Sequence, residues 1–205
     1  MIIDISPTIS EKTAVWPGDV KFSRTIQCSI NSGANIDLSS MNTTLHIGSH
    51  VDAPSHYAKN STTVDKLALD PYIGPCQVIR LKPSKERLIQ VHEIEAKIQA
   101  KRVLIYTGSF PSHNNFNEDF RAFSPETIDY LADRGVMLIG IDTPSFDLFE
   151  SKDLASHKKL WERKVCNLEG IILKDVDEGL YELIALPLKI EDADASPVRA
   201  ILRSL

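Results

Sequence analysis

Residues 46–56 read HIGSHVDAPSH, and this short stretch holds three of the six histidines in the chain together with one aspartate. Its polar side chains are separated by four, two and four residues: His46, His50, Asp52 and His56. Side chains on an extended chain alternate between two faces with a period of two. The even spacing therefore predicts that all four side chains share one face of an extended segment.

The segment must also bend. A helix would turn Asp52 roughly 200° away from His50, and it would not tolerate Gly48 and Pro54 so close together. A straight strand would hold His46 about 13 Å from His50, which is too far for two imidazoles to bind one metal at about 2 Å each. Gly48 is the residue where a bend costs least because it has no Cβ, and Pro54 fixes a second corner.

These residue types indicate a metal site. Imidazole and carboxylate ligands without a thiolate suit Zn²⁺ or Mn²⁺, and structural zinc sites more often use cysteine, so the pattern favours a catalytic site. For any one histidine alone, an ordinary hydrogen-bonded side chain is the commoner explanation, but the shared spacing favours ligation. His157 and Glu169, twelve residues apart around a predicted helix, are candidates to complete the site. Glu169 is explained equally well as a surface residue at the start of a strand.

The rest of the chain predicts a mixed α/β fold. Apolar, β-branched runs between turn residues predict nine strands, at 2–5, 22–30, 35–45, 76–81, 103–107, 136–141, 170–173, 181–186 and 198–202. Helical spacing of apolar residues predicts helices at 91–99, 124–134 and 153–164. The stretch 109–119, rich in Asn, Ser and Pro, is typical of a surface loop.

Length, charge and cysteine content narrow the class of protein. The 205 residues predict one domain spanning 1–205, and the net charge of −5 argues against a nucleic-acid binder. No apolar run approaches the ~20 residues of a membrane-spanning helix, and the N-terminus lacks the features of a secretory signal.

The three cysteines, Cys28, Cys76 and Cys166, form no CxxC pair, which predicts reduced thiols and a cytoplasmic location. Motifs for a nucleophile elbow, a phosphate loop or a dinucleotide turn are absent from the sequence.

With these residues in view, HIGSHVDAPSH resembles the HxGTHxDxPxH signature of the cyclase-type metal-dependent hydrolases. The likeness extends to WPGD at 16–19, IGPCQVI at 73–79, LIGIDTPSFD at 138–147, the pair at 157 and 169, and YELIALPLKIEDADASPVRAIL at 181–202. The ending, ALPL followed by DASPVRA, is similar to the bacterial kynurenine formamidase (arylformamidase) subgroup. Two positions depart from the family pattern: Ser49 stands where Thr is usual, and Leu148 stands where Pro is frequent.

The resemblance implies a fold and a set of site residues. The implied fold is a single α/β domain of the swivelling β/α type, with a mixed, barrel-like β-sheet and flanking helices. The implied cofactors are two divalent metal ions, usually zinc, with manganese or cobalt as alternatives. His46 and His50 would bind one ion, Asp52 would bridge both, His157 would bind the second, and Glu169 would complete or bridge the pair. His56 would donate and accept the proton, Trp16 would line the substrate pocket, and the assembly would be a homodimer or larger.

The activity that the resemblance implies is hydrolysis of N-formyl-L-kynurenine, a small-molecule substrate, to L-kynurenine and formate by a water activated at two metals. Two alternatives stay open. One is a related hydrolase that acts on another amide, lactam or lactone, as an isatin hydrolase does. The other is a metal-binding protein without turnover, against which the presence of His56 as a proton shuttle counts.

Overall fold

The computed structural model describes residues 1–205 and contains thirteen β-strands and two α-helices. The strands are β1 (Ile2–Asp4), β2 (Ser23–Cys28), β3 (Leu38–Asn42), β4 (His50–Asp52), β5 (Ile73–Arg80), β6 (Leu88–Ile89), β7 (Arg102–Tyr106), β8 (Ala122–Phe123), β9 (Leu138–Ile141), β10 (Cys166–Leu168), β11 (Gly179–Ile184), β12 (Ala195–Pro197) and β13 (Ile201–Ser204). The helices are α1 (Pro125–Ala132) and α2 (Ala155–Arg163). Neither helix is long and apolar enough to cross a membrane.

Seven strands form the main sheet, in the order β1-β13-β11-β5-β7-β9-β10. The half from β1 to β5 pairs antiparallel, and the half from β5 to β10 pairs parallel. Three two-stranded pairs lie outside it: β12 with β4, β2 with β3, and β6 with β8. The sheet is a mixed half-barrel accompanied by two helices, so the predicted α/β class is confirmed.

Alternation along the strands gives the sheet two apolar faces. In β7, Leu104 packs into one buried cluster, whereas Val103 and Ile105 pack into the other. The first cluster includes Val51 of β4, and the second is covered by α1 and α2 through residues such as Leu160. Each large apolar side chain buried in this way contributes about 1.5–3 kcal/mol. The sheet is therefore a stable platform that places β4 against its first face.

The histidine-rich stretch bends as the sequence predicts. Gly48 adopts a left-handed conformation with φ of 59°, the chain is extended in β4, and Pro54–His56 forms a single 3₁₀ turn. Within β4, Val51 enters the apolar core. His50 and Asp52 point to the other face because side chains on a strand alternate.

The helix predicted at 91–99 is wrong. Only Val91–Glu93 forms a 3₁₀ turn, closed by a capping box between Gln90 and Glu93. Beyond it the backbone pairs with a side chain of β5: Gln77 donates to the carbonyl of Lys97 and accepts from the backbone N–H of Gln99. These hydrogen bonds to Gln77 take the place of the backbone hydrogen bonds between residues four apart that a helix needs. Tertiary contacts therefore override the helical preference of the sequence.

The strand predicted at 170–173 is also wrong. The strand in this region is β10, which ends at Leu168, and Gly170 follows in a left-handed conformation with φ of 64°. Ile171 and Leu173 are fully buried without joining a ladder, which explains the strand-like apolar pattern. The other predicted strands and helices are present, with bounds that differ by up to three residues at their ends. In α1, Ser124 accepts a hydrogen bond from the backbone of Thr127 as the N-cap.

Candidate metal centre and active site

The structure brings all seven sequence-predicted site residues around one cavity of about 540 Å³. They come from four separate parts of the chain, and all line the cavity: Trp16, His46, His50, Asp52, His56, His157 and Glu169. The imidazoles and carboxylates form its floor, and a group of aromatic rings forms one wall.

A backbone pairing places His50 beside Glu169. The two residues exchange both backbone hydrogen bonds, with N···O distances of 3.1 and 2.9 Å, so their side chains lie next to each other. His50 Nε2 is 3.1 Å from Glu169 Oε2. The following residue, Gly170, approaches the carbonyl oxygen of Gly48 so closely that a Cβ there would overlap it. Glycine at this position lets the two segments come together.

Asp52 lies at the centre of the floor. Its Oδ1 atom is 3.0 Å from His46 Nδ1 and 3.7 Å from His50 Nε2, and its Oδ2 atom is 3.4 Å from His157 Nε2. Asp52 is only 3% exposed, and imidazole nitrogens are the polar groups that face its Oδ1 atom. A buried carboxylate surrounded by imidazoles is the kind of ligand set that binds a divalent metal ion, so this atom is suited to metal ligation.

Both buried carboxylates are held in the ionised form. Burial raises the pKa of Asp52, but His157 and His46 outweigh it and lower that pKa well below its ordinary value. Burial and the charge of Asp52 raise the pKa of Glu169, yet His157 and His50 lower it overall. Asn167 supports the pair, because its amide donates to Asp52 Oδ2 at 2.7 Å and to Glu169 Oε1 at 3.1 Å.

His157 is oriented by Asp147. Its Nδ1 atom lies 2.6 Å from Asp147 Oδ2, which leaves Nε2 facing Glu169 Oε1 at 3.2 Å. The same carboxylate accepts hydrogen bonds from the backbone N–H groups of Ser156 and His157 in the first turn of α2, each with an N···O distance of 3.0 Å. Burial opposes ionisation of Asp147, but its hydrogen bond to His157 lowers its pKa overall. A carboxylate behind a histidine fixes the ring for metal binding.

The carboxylate of Asp194 lies between the imidazoles of His46 and His56 and contacts both. Its Oδ2 atom is 2.9 Å from His46 Nε2 and 3.5 Å from His56 Nδ1. Burial lowers the pKa of His46, but Asp194 and Asp52 raise it to about 10, and His46 in turn lowers the pKa of Asp194 to about 2. Burial lowers the pKa of His56, so this imidazole is neutral near pH 7.

The ligand atoms fall into two groups that fit metal ions. One group is His46, Asp52 and His56, the other is His50, Asp52 and Glu169, and within each group the ligand atoms lie within 4.8 Å of one another. Asp52 is common to both, in keeping with the expected bridging role. The grouping sets His50 beside Glu169, whereas the resemblance implies that His50 shares its ion with His46. This set of imidazole and carboxylate donors, shared through a buried aspartate, fits divalent metal ions.

Aromatic rings form the wall above this floor. Trp16 packs against Phe149, with ring centroids 5.0 Å apart, and against Phe116 at 5.4 Å. Phe110 and Phe116 line the cavity together with Trp16, and both belong to the loop at 109–119. The structure has no helix or strand in this loop, as the sequence predicts. Its apolar contribution was missed because polar residues dominate its composition.

Three further polar residues of the site were also missed. Asp147 and Asp194 both lie within stretches that carry the family resemblance, but neither has a spacing that marks it as a partner of a histidine. Asn167 lies two residues before Glu169, so the period of two along a strand would have placed both side chains on one face. That signal existed in the sequence for Asn167 alone.

Comparison with known proteins agrees with this geometry. Residues 3–148 match the model of the Cyclase family. A kynurenine formamidase of Bordetella petrii is 42% identical over 203 residues, which cover 98% of this chain and 97% of that protein. A solved structure described as a potential metal-dependent hydrolase with cyclase activity is 29% identical, with a TM-score of 0.84 over 98% of this chain and 96% of that one. An isatin hydrolase, 21% identical, shares the fold with a TM-score of 0.83 over 98% and 91% of the two chains. The chain therefore belongs to the Cyclase family of metal-dependent hydrolases.

Proposed function

We propose that this protein hydrolyses N-formyl-L-kynurenine to L-kynurenine and formate. The observation that carries the proposal is one cavity that combines a floor of metal-ligating groups with an aromatic wall. The 42% identity to a protein named kynurenine formamidase supports the substrate. In the reaction, water adds to the formyl carbon, the carbon–nitrogen bond breaks, and the leaving aniline nitrogen takes up a proton.

Two divalent metal ions would be held by the floor residues already described. Metal ions bound there would lower the pKa of a water molecule and polarise a carbonyl oxygen. The protein contributes two ionised carboxylates, Asp52 and Glu169, and a neighbouring carboxylate that orients His157. The identity of the metal, with zinc expected, remains a prediction.

His56 is proposed as the acid and base. Its side chain is 35% exposed, compared with 3% for His50 and 4% for His157, so it is the most accessible imidazole of the floor. Its Nδ1 atom faces Asp194, and Nε2 has no protein hydrogen-bond partner. Because burial lowers its pKa, His56 can accept a proton near pH 7 and deliver it to the leaving nitrogen.

The aromatic wall suits the ring of the substrate. Trp16, Phe110 and Phe116 all line the cavity that holds the floor residues. Offset or edge-on packing of aromatic rings contributes about 1 kcal/mol beyond the burial of apolar area. Trp16 would therefore hold the aniline ring while the formyl group lies over the floor.

The test is release of formate from N-formyl-L-kynurenine by the purified protein, measured before chelation, after chelation and after zinc is restored. We expect rapid turnover that chelation abolishes and zinc restores. Isatin serves as the comparison substrate, because an isatin hydrolase shares this fold. Preference for isatin, or no formate from the zinc-loaded protein, would contradict the proposal. The homodimer and the cytoplasmic location remain predictions from the resemblance and the cysteine content.

A further inference from the structure

The cavity contains one cationic side chain that the metal chemistry does not use. Lys152 is the only lysine or arginine among the residues that line it. Its ammonium group makes no ion pair and no hydrogen bond, and the side chain is exposed. Among the residues that line the cavity, no other Lys or Arg competes for an anionic group of the substrate.

One carboxylate of the cavity is also without a cationic partner. Asp52 and Glu169 lie against the histidines of the floor, and Asp194 lies 2.9 Å from His46. Asp19 makes no ion pair, and its side chain accepts only the hydroxyl of Thr44, at 3.2 Å. Asp19 is thus the carboxylate of this cavity that is available to bind a positive group.

A tight turn places Asp19 beside the aromatic wall. The backbone N–H of Asp19 donates to the carbonyl of Trp16 at 2.9 Å, with Pro17 and Gly18 between them and φ of 100° at Gly18. Proline followed by a residue of positive φ is the pattern of a type II turn, whose first and fourth Cα atoms lie within about 7 Å. Trp16 and Asp19 therefore line the cavity from one rigid unit.

The loop that carries Lys152 is fastened to the same unit. Phe149 packs on Trp16, and Glu150 forms a two-pronged ion pair with Arg87, at 2.5 and 3.0 Å. Ser151 closes a turn by donating its backbone N–H to Leu148. These contacts on the residues just before Lys152 hold its segment at the aromatic wall.

We propose that Lys152 and Asp19 recognise the amino-acid end of the substrate, Lys152 binding its carboxylate and Asp19 its ammonium group. This inference rests on the proposed function, since it concerns how the same cavity selects N-formyl-L-kynurenine. The substrate carries both charges on one carbon, joined through a short ketone chain to the ring that Trp16 would hold. The cavity lined by Trp16 thus offers one group of each charge for that end of the substrate, and an uncharged substrate such as isatin would gain nothing from them.

The experiment compares N-formyl-L-kynurenine with 2-formamidoacetophenone, which keeps the ring, ketone and formamide but lacks both charged groups. The preference of the zinc-loaded wild type for the charged substrate, as a ratio of kcat/KM, is measured again in Lys152→Met and Asp19→Asn. We expect the preference to fall about tenfold or more in each variant, through a higher KM with kcat changed little, since each variant loses a hydrogen bond between charged groups. Asn at position 19 still accepts the Thr44 hydroxyl, so the turn is preserved.

The matched control is Lys158→Met, an exposed lysine of α2 outside the cavity, and it should leave the preference unchanged. The D enantiomer gives a second readout, because the formyl group is far from the chiral carbon and any stereoselectivity must come from groups at the charged end. Loss of that stereoselectivity in Lys152→Met supports the proposal. Normal hydrolysis with an unchanged preference in both variants overturns the proposal alone. No hydrolysis of N-formyl-L-kynurenine by the wild type overturns the proposed function and this inference together.

Discussion

The floor and the wall of the cavity are built in different ways. On the floor, His50, Asp52 and Glu169 are each at most 3% exposed, and they lie on strands or a strand-like bridge whose backbones are hydrogen-bonded. The wall comes from loops, where Trp16 and Phe116 are held by ring packing and tight turns. The backbone hydrogen bonds of β4 with β12 and with Glu169 therefore fix the geometry of the floor, whereas the wall depends on contacts among loop side chains.

This difference separates the chemistry from the choice of substrate. Metal ligands must be held within a few tenths of an ångström, which suits buried groups supported by a second layer of hydrogen bonds. Substrate selection tolerates variation, and loops can change without disturbing a core. Substitutions in the floor should therefore reduce catalysis and metal content, while substitutions in the wall should mainly change KM.

Asp52→Asn should have the largest effect. Asp52 is common to both ligand groups, so the amide would remove a negative charge that the two proposed metal ions would share. We expect loss of bound metal and a fall in activity on the order of 10³-fold or more. Metal content by elemental analysis and formate release are the two measurements. Asp175→Asn, an exposed aspartate outside the cavity, is the control, and full metal content in Asp52→Asn would contradict the central role of this residue.

His56→Ala should come next. The loss of a positioned acid and base costs about 10²–10⁴-fold in kcat. His56 also lies close enough to His46 and Asp52 to be a metal ligand. The metal content of the variant therefore decides whether His56 is an acid and base or a ligand. We expect the variant to keep its metal and lose turnover. A variant that loses metal in parallel with activity would show that His56 is a ligand instead.

Asp147→Asn should have a moderate effect. The amide oxygen can still accept one of the two backbone N–H groups of α2, but the NH2 group cannot accept the other, and the negative charge behind His157 is lost. Replacing such a partner typically costs about 10–100-fold in metal affinity or activity. Competition with a chelator of known affinity measures the change. An unaltered affinity would show that the floor tolerates loss of this carboxylate's charge, and so would weaken the contrast with the wall.

The sequence predicts the floor well because local rules govern it. The even spacing of His46, His50 and Asp52, with Gly48 between them, specifies a bent extended segment, and the structure has that bend. His157 and Glu169 were candidates from the sequence, but their roles came from the family resemblance, since no local spacing links them to the motif. Asp194 joins the floor from 148 residues beyond His46, and only the pairing of β12 with β4 brings it there.

The elements that the sequence mispredicts share one physical cause. At 91–99 the apolar spacing suits a helix, but Gln77 of β5 takes the backbone bonds of Lys97 and Gln99. At 170–173 the apolar run suits a strand, but the backbone N–H groups of Ile171 and Ile172 bond singly to Ile141 and Ile5 and form no ladder. In both places distant residues decide the backbone. The same holds for the aromatic wall, whose rings come from three separate loops.

Trp16→Ala tests that wall and should have the smallest effect of this series. Removing the indole takes away the surface proposed to hold the substrate ring, along with the packing of Phe149 and Phe116. We expect KM to rise about tenfold, equivalent to about 1.4 kcal/mol, with bound metal unchanged. Trp16→Phe should recover part of the loss, because it keeps an aromatic face. Trp161→Ala is the matched control, since the other tryptophan is half exposed and lies outside this cavity. If Trp16→Ala lost its metal, the wall would be part of the floor's support, and the separation of chemistry from selection would fail.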